Sequence, residues 1–373
     1  MRFSEPEYSL FKEKKLFGRY ITNQHIRPLL NALPKEVVAT KLGTSVEDRS
    51  IYGLKLGRGK IKIMMWSQMH GNESTTTKAV FDLINYLLKS KEDFDHFSFL
   101  IIPILNPDGA YYYTRLNANQ VDLNRDAQDR SQPETRVLFE AFDSFKPNYC
   151  LNLHGQRTIY AAGEMGNPAT LSFLAPASDP GRSVPSNRKT AMHLIFGIYE
   201  DLKEYLPENI GLYDDAFNLN CTGDTFQSLG VPTILFEAGH FPRDYEREKT
   251  RYYVFLSFIS LLERIDQLSE INDTGYWNIP LNAKSYLDII IRNVQTKKDE
   301  ILDIGILYEE KLVEEAINFI PKVEVIGKLI DYLGHYELDA QSEVIEFSKN
   351  DPIKEGDEID FVVLKNEKIL MKP

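Results

Sequence analysis

One stretch of the chain, Ile-Lys-Ile-Met-Met-Trp-Ser-Gln-Met-His-Gly-Asn-Glu at 61–73, decides how the rest is organised. Its apolar first half predicts a buried strand, and its second half ends in His70 and Glu73. At the carboxyl end of a strand, these two side chains can direct an imidazole nitrogen and a carboxylate at one point. Zinc suits such a point, because a catalytic zinc takes three N or O ligands and leaves one position for water. His-x-x-Glu alone is a weak signal, so the metal hypothesis depends on the rest of the chain.

Alternating strands and helices surround this stretch. Apolar or β-branched runs predict strands, and apolar residues at helical spacing predict helices. The predicted strands cover 37–43, 49–56, 60–66, 97–105, 149–153 and 231–237. The predicted helices cover 8–33, 74–88, 133–145, 188–205 and 246–266. Residues 57–59 read as a hairpin turn, 156–188 as a long loop and 207–223 as an irregular stretch. The predicted fold class is α/β, with a mixed, mostly parallel sheet flanked by helices on both sides.

The pattern of apolar and polar residues changes near Asp273. From there on, short runs of alternating apolar and polar residues, separated by Gly, Asn, Asp and Pro, replace the long helical patterns. A length of 373 residues also exceeds one ordinary core. We therefore expect a catalytic domain over 1–268 and a small β-rich domain over 273–373. The second domain shows no residue cluster that predicts chemistry.

Composition restricts the partners and the compartment. Lys+Arg 43 against Asp+Glu 55 gives a net charge of -12, and no basic stretch predicts binding to nucleic acid or to an anionic membrane. No apolar run approaches the ~20 residues that span a bilayer, and the N-terminus has no signal-peptide pattern. Cys150 and Cys221 are the two cysteines, so we expect no disulfide framework and a cytoplasmic location.

A second histidine strengthens the zinc hypothesis. His154 follows the apolar run 149–153, so we expect it at the carboxyl end of a buried strand, as for His70. Two imidazoles and one carboxylate form a known ligand set of catalytic zinc sites. The alternative for His154 alone is a core histidine satisfied by hydrogen bonds.

An ordered set of motifs links these ligands to a family. Asn-Pro-Asp-Gly at 106–109, then Arg115, then Asp-Leu-Asn-Arg at 122–125 lie between Glu73 and His154, and Phe-Glu at 236–237 ends a late strand. In this order the motifs resemble the zinc metallocarboxypeptidase family, of the carboxypeptidase A and B type, from about residue 42 to about 265. The resemblance implies that family's α/β fold and a zinc-dependent peptidase.

The resemblance also implies residue roles. One Zn²⁺ per chain would be bound by His70, Glu73 and His154. Asp122 would accept a hydrogen bond from a ligand imidazole and so fix its tautomer. Glu237 would take a proton from the attacking water and pass it to the leaving amine. The alternative for Glu237 is an ordinary acid at a strand end.

Four further positions match the family's substrate contacts. Arg115, Asn124 and Arg125 match residues that bind the substrate's free carboxylate. The resemblance also implies that one arginine of this set stabilises the developing oxyanion, a role we assign to Arg115. Solvated surface charge is the alternative for the arginines. Tyr213 is the nearest match to a mobile substrate-binding tyrosine, and its alternative is a packing or surface tyrosine.

Some positions depart from the digestive enzymes. Asn72 stands where those enzymes carry an arginine, and His-Gly-Asn-Glu is typical of the aspartoacylase and succinylglutamate desuccinylase branch. The Phe-Glu-Ala-Gly-His run at 236–240 and the small β domain favour the same branch. Arg157 is a candidate for a further anion contact, and His240 acts in the site or merely packs.

The expected function is hydrolysis of an amide bond next to a free carboxylate, foremost removal of a C-terminal residue from peptides. The alternative is an N-acyl amino acid amidohydrolase with the same zinc. A non-catalytic binding protein on this fold would lack a ligand or the base, and here all are present. The pattern leaves open the side-chain preference, the oligomeric state, the role of the C-terminal domain, and zinc against cobalt or iron.

Overall fold

A computed structural model describes residues 3–90, 94–164, 166–268, 275–295, 300–348 and 353–373. The helices are α1 Glu5–Tyr8, α2 Asn23–Asn31, α3 Thr75–Lys89, α4 Pro107–Tyr112, α5 Pro133–Phe145, α6 Ser186–Leu202, α7 Thr222–Ser228 and α8 Glu248–Asp266. The first nine strands are β1 Val37–Thr44, β2 Ser50–Gly57, β3 Ile61–Ser67, β4 Phe97–Ile102, β5 Tyr149–Gly155, β6 Tyr160–Ala162, β7 Leu171–Leu174, β8 Ile210–Leu212 and β9 Thr233–Ala238. The remaining strands are β10 Asn282–Lys284, β11 Tyr286–Gln295, β12 Ile301–Val313, β13 Ala316–Gly327, β14 Leu333–Asp339, β15 Glu346–Phe347, β16 Phe361–Leu364 and β17 Glu367–Leu370.

The main sheet has eight strands in the order β1-β2-β4-β3-β5-β9-β7-β8. The pairs β3–β4, β3–β5, β5–β9 and β7–β8 are parallel. The pairs β1–β2, β2–β4 and β7–β9 are antiparallel. Parallel pairs are thus the majority, which confirms the predicted mixed, mostly parallel sheet.

Helices cover both faces of this sheet, as the near-continuous apolar strands predicted. From β3, Ile63 and Met65 join the core that includes residues of α3, α6 and α8. The alternate residues Met64 and Trp66 join the opposite core, with residues of α5 and with Phe226 of α7. Since both faces of β3 are buried, the polar side chains that follow it can meet solvent only beyond its carboxyl end.

The predicted β2–β3 hairpin is wrong, because β4 lies between these strands and pairs with both. The glycines of 57–59 serve this insertion. A Cβ on Gly57 would lie 2.4 Å from the Phe97 carbonyl oxygen, and one on Gly59 would lie 1.8 Å from the His96 carbonyl carbon. Glycine is therefore needed here for close backbone approach rather than for a two-strand turn.

The predicted helix 8–33 is also largely wrong, because within it only 23–31 forms a helix of more than one turn. Buried side chains from other helices satisfy the backbone of the irregular part. Asp82 accepts from the Glu13 amide at 2.7 Å, and the Arg251 guanidinium donates to the Leu16 carbonyl at 2.6 Å. Asp82 and Arg251 are fully buried and pair with each other at 2.6 Å. This long-range ion pair replaces the helical hydrogen bonds that the local pattern predicted.

The stretch 156–188, predicted as a loop, contains β6 and β7, and the irregular stretch 207–223 contains β8 and the start of α7. These strands have three or four residues, which is too short for a period to show in the sequence. β7 joins the main sheet antiparallel to β9. The chain beside the candidate site is therefore more ordered than predicted.

The C-terminal region is rich in strands, as predicted. β13-β12-β11-β14 form one sheet and β15-β16-β17 form another. Apolar residues of both sheets share a core that includes Ile289, Ile306 and Val362. β10 pairs instead with β6 of the preceding region. The proposed domain boundary lies largely outside the described residues, so the two-domain division stays a prediction.

Among the helices of the described ranges, none combines the length and apolar character that crossing a bilayer requires.

Candidate active site

The candidate residues meet at one edge of the main sheet. β3, β5 and β9 are adjacent and parallel, so their carboxyl ends lie together. His70 follows β3, while His154 and Glu237 are direct partners in the register of β5 and β9. Crevices at the carboxyl ends of parallel strands are common ligand sites in α/β folds.

The three predicted metal ligands converge. Ligand atoms of His70, Glu73 and His154 all lie within 4.8 Å of one another. The Nδ1 atoms of the two histidines are 3.1 Å apart, and the Glu73 carboxylate lies 2.9 Å from one and 3.0 Å from the other. Both imidazoles are buried, with 2 % of each residue exposed. A His₂Glu set of this kind fits the ligand chemistry of a catalytic zinc.

Asp122 supports this arrangement from outside the trio. Its Oδ1 lies 3.0 Å from Nε2 of His70 and accepts from the Asn124 amide at 2.9 Å. An Nε2–H donated to Asp122 leaves the Nδ1 lone pair of His70 free for a metal, which is how carboxylates orient ligand imidazoles. Burial by itself lowers the pKa of His70, but Glu73 and Asp122 together raise it to about 9. The structure thus places Asp122 where the resemblance implied.

Glu73 has partners beyond the two imidazoles. Its Oε2 accepts from the Gly155 amide at 3.0 Å, and its Oε1 lies 3.5 Å from a guanidinium nitrogen of Arg115. Burial opposes ionisation, but the histidines hold the pKa of Glu73 below its usual range. The carboxylate is therefore charged and fixed in orientation.

Glu237 lies beside the trio but outside it. Burial, followed by the charge of Glu73, raises the pKa of Glu237 well above its usual value. One of its carboxylate oxygens, Oε2, is buried without a hydrogen-bond partner. A buried carboxyl group with a raised pKa is suited to accept and return a proton near neutral pH.

The three residues predicted to bind a substrate carboxylate, Arg115, Asn124 and Arg125, which we call the clamp, have the following contacts. Arg115 donates to Asp122 from two nitrogens, at 3.0 and 3.1 Å. The Asn124 side chain accepts from the Thr222 amide at 3.1 Å, at the start of α7. Arg125 is exposed, and its guanidinium contacts the sulfur of Cys221 at 3.1 Å. Arg115, Asn124 and Arg125 line the cleft that contains the trio.

Of the four residues whose roles the sequence left open, three line the cleft and one does not. Tyr213 lines the cleft, its ring centroid 5.3 Å from that of Tyr160, and burial with the charge of Glu237 raises its pKa. Arg157 and Asn72 line the cleft as well. His240 is buried, is not among the lining residues, and packs against Tyr245 and His335, with ring centroids 4.7 and 4.3 Å away. The structure therefore favours a packing role for His240.

A cleft of about 1030 Å³ contains the trio, Glu237 and the clamp, and the C-terminal region contributes to its lining. The lining residues from β12 and β13 include Tyr308, Glu309, Glu310, Phe319, Lys322 and Glu324. The sequence predicted no functional cluster in this region, so these contacts were missed. Asp288 also lines the cleft. Its position could have been noticed in the sequence, because it is an acid inside the apolar run 286–292.

Arg247 was missed too. This arginine is 2 % exposed, and its guanidinium donates to the Ala238 carbonyl and, at 2.7 Å, to the Gln156 carbonyl. It therefore joins the ends of β9 and β5 next to Glu237 and His154. Nothing local in the sequence marks it, since it lies at the start of α8.

Comparisons with known proteins agree with this geometry. A family model described as Zinc carboxypeptidase matches residues 22–161. Probable carboxypeptidase 2 of Trichophyton verrucosum (strain HKI 0517) is 27% identical over 188 residues, covering 48% of this chain and 34% of that protein. Carboxypeptidase D of Homo sapiens is 28% identical over 160 residues, covering 35% of this chain and 12% of that protein. The matched regions thus span about a third or less of these relatives.

Solved structures share the fold. A metallo-carboxypeptidase from Burkholderia cenocepacia superimposes with a TM-score of 0.53 at 19% identity, covering 67% of this chain and 70% of that one. Carboxypeptidase A from Helicoverpa armigera gives a TM-score of 0.55 at 16% identity, covering 67% and 74%. The family match contains His70, Glu73 and His154 but ends before Glu237, which is placed by the sheet register alone. Residues 22–161 thus match the zinc carboxypeptidase family model, and the fold is shared with solved metallocarboxypeptidases.

Proposed function

We propose that the protein is a zinc-dependent carboxypeptidase that removes the C-terminal residue of peptides and binds one Zn²⁺ per chain. The main observation in support is the pairing of His154 and Glu237 on adjacent strands, with His70 and Glu73 completing a ligand trio beside the buried base. Arg125, in the same cleft, offers a cation for a free carboxylate. The relatives named above are carboxypeptidases.

His70, Glu73 and His154 would hold the zinc, with Asp122 orienting His70. When bound, zinc supplies a Lewis acid that polarises the scissile carbonyl and lowers the pKa of a water. The two imidazoles are nearly closed to solvent, which strengthens electrostatic interactions in the site.

Glu237 would carry the proton. Its carboxylate takes a proton from the attacking water and delivers it to the amine nitrogen as the amide bond breaks, so the base is regenerated in each cycle. Burial supports this role, because the raised pKa of Glu237 brings its proton affinity closer to neutral pH. Arg115, whose guanidinium lies 3.5 Å from Glu73, would stabilise negative charge on the carbonyl oxygen.

Arg125 and Asn124 would select substrates with a free C-terminus. A guanidinium binds a carboxylate through two parallel hydrogen bonds, and the exposed Arg125 has nitrogens available for this. Tyr213, close to Glu237, would close on the bound substrate.

The test is hydrolysis by the zinc-loaded protein of three substrate sets. These are short peptides with free C-termini, the same peptides amidated, and N-acetyl or N-succinyl amino acids. Cleavage of the free peptides together with failure on the amidated ones is the expected result. Cleavage confined to the acyl amino acids would contradict the peptidase proposal and favour the acylase alternative.

That alternative has some support in the sequence, since Asn72 and the 236–240 run resemble the aspartoacylase branch. The relatives and solved structures named above favour the peptidase instead. A cytoplasmic location remains part of the proposal and depends on the two free cysteines, Cys150 and Cys221.

A further inference from the structure

The C-terminal sheet forms one wall of the cleft. Within β12 and β13, Glu310 and Phe319 are direct partners in the strand register, as are Tyr308 and Pro321. Side chains of Tyr308, Glu310 and Phe319 line the same cleft as the metal ligands. We call this β12–β13 surface, with its lining residues Tyr308, Glu309, Glu310, Phe319, Lys322 and Glu324, the hairpin wall.

Polar contacts fix the hairpin wall to the rest of the molecule. The two carboxylate oxygens of Glu310 lie 2.9 and 3.0 Å from one guanidinium nitrogen of Arg19, and Glu310 also accepts from the hydroxyl of Tyr113. Arg19 is 8 % exposed. A charge-assisted pair with one nearly buried partner resists separation, because opening it would leave a charge without compensation.

Aromatic contacts hold the wall from a second direction. The ring of Tyr245 lies 5.2 Å from that of Tyr308 and 5.3 Å from that of Phe319, measured between centroids. The Tyr245 hydroxyl donates to Asp288 of β11 at 2.9 Å. Tyr245 therefore contacts both strands of the wall and the neighbouring strand β11, which fixes the position of the wall.

The hairpin wall and the Asn124-Arg125 pair line the same cleft but are held by different elements. Asn124 and Arg125 contact α7 through Thr222 and the adjoining Cys221. The wall contacts Arg19, Tyr113 and Tyr245 instead. A substrate with its C-terminal carboxylate at Arg125 and its scissile bond at the metal trio would direct its acyl part toward the wall.

We propose that the hairpin wall limits the length of the acyl part, so that the substrates are short peptides rather than the tails of folded proteins. This inference depends on the proposed carboxypeptidase function. The cleft volume of about 1030 Å³ lies just above the range of small-ligand clefts, roughly 300–1,000 Å³, so the cleft has room for a short peptide. The hairpin wall is thus a specificity element supplied by the C-terminal region.

A ladder of N-acetylated peptides tests the limit. All members share one accepted C-terminal residue and grow from two to six residues with alanine. For the zinc-loaded protein we expect kcat/KM to fall by about tenfold or more from the shortest to the longest peptide. Phe319→Ala should widen the cleft and so weaken the dependence of kcat/KM on peptide length. Phe319→Trp should make that dependence stronger. Tyr308→Ala repeats the test if Phe319→Ala does not fold.

Tyr336→Ala is the matched control, because Tyr336 is an aromatic residue of the same sheet, 49% exposed and outside the cleft lining. In this variant kcat/KM should depend on peptide length as it does in the wild type. Equal cleavage of all lengths by the wild type would overturn the size limit and leave the carboxypeptidase proposal intact. An unchanged ladder in a folded Phe319→Ala or Tyr308→Ala protein would also overturn it. Failure to cleave any length would refute the proposed function and, with it, this inference.

Discussion

Two regions line the same cleft, and they are built differently. The catalytic edge, formed by the ends of β3, β5 and β9, draws on short motifs such as His70-x-x-Glu73. The hairpin wall depends on contacts between distant residues, as in Arg19 with Glu310, which are 291 positions apart. Parallel strands bring their carboxyl ends together by geometry alone, whereas nothing local brings β12 to Arg19.

This difference indicates which features of the sequence determine the reaction chemistry and which determine the substrate selectivity. Reaction chemistry needs a few side chains at fixed spacing, and the strand edge supplies that spacing. Selectivity in this protein would depend on how two sheets meet, which long-range packing decides. Variants in the two regions should therefore fail in different ways.

The largest effect should come from the catalytic edge, with Glu237→Gln. Loss of the base should lower kcat by about 10³-fold, within the range that general acid–base catalysis contributes. Zinc content should stay at the wild-type level, because Glu237 is not part of the trio. Turnover assays and metal analysis of the purified protein measure both. Glu204→Gln, at an exposed acid, is the control, and near-normal turnover in Glu237→Gln would refute the proton-transfer role.

Asp288, on the wall side, should produce a pH effect on stability. Burial raises its pKa to about 6 despite hydrogen bonds from Tyr308 and Tyr245. The protonated carboxyl therefore contributes stability that is fully present below about pH 4 and is lost as the pH rises through about 6. A shift of about two units corresponds to roughly 3 kcal/mol.

Urea unfolding of the wild type and Asp288→Asn at pH 4 to 8 measures this contribution. The wild-type free energy of unfolding should fall relative to that of the variant over this range. Asp331→Asn, at an exposed acid of the same region, should show a constant difference. A constant difference for Asp288→Asn as well would mean that Asp288 titrates normally.

Sequence reasoning succeeded where a local pattern decides the structure. Helix 133–145 has the predicted bounds, and β3 and β5 lead to His70 and His154 as expected. It failed where distant groups replace local ones. Residues 9–21 are not helical because Asp82 and Arg251 bind their backbone, and β4 enters between β2 and β3 because Gly57 and Gly59 admit it.

The candidate site divides along the same line. The ligand trio and Asp122 could be placed from spacing and resemblance, and the structure brings them together. Arg247 and Glu310 could not be placed in this way. Their partners lie on distant elements, and the periodicity of the sequence does not predict how such elements pack together. An acid in an apolar strand, such as Asp288, is the type of local signal that points to such a contact.

Asp122→Asn should have a moderate effect at the catalytic edge. The amide can still accept from His70, but it loses the charge that orients the imidazole and binds Arg115. We expect zinc affinity to fall by about 10- to 100-fold, as for other carboxylates behind a metal ligand. Competition with a chromogenic chelator measures it. Asp129→Asn, a nearby exposed acid, should bind zinc like the wild type, and the role of Asp122 is wrong if the two variants agree.

The smallest effect should distinguish Arg125 from Arg157, two exposed arginines that line the cleft. Arg125→Ala should reduce the preference for free over amidated peptides by about tenfold, the low end for a charged hydrogen bond, because solvent screens an exposed guanidinium. Arg157→Ala should change it by less than about threefold, since the family motif places the clamp at Asn124-Arg125 and position 157 has no such match. The ratio of kcat/KM for the two peptide forms is the measurement. A larger loss in Arg157→Ala would move the clamp away from α7, and the direction of the bound peptide relative to the hairpin wall would then reverse.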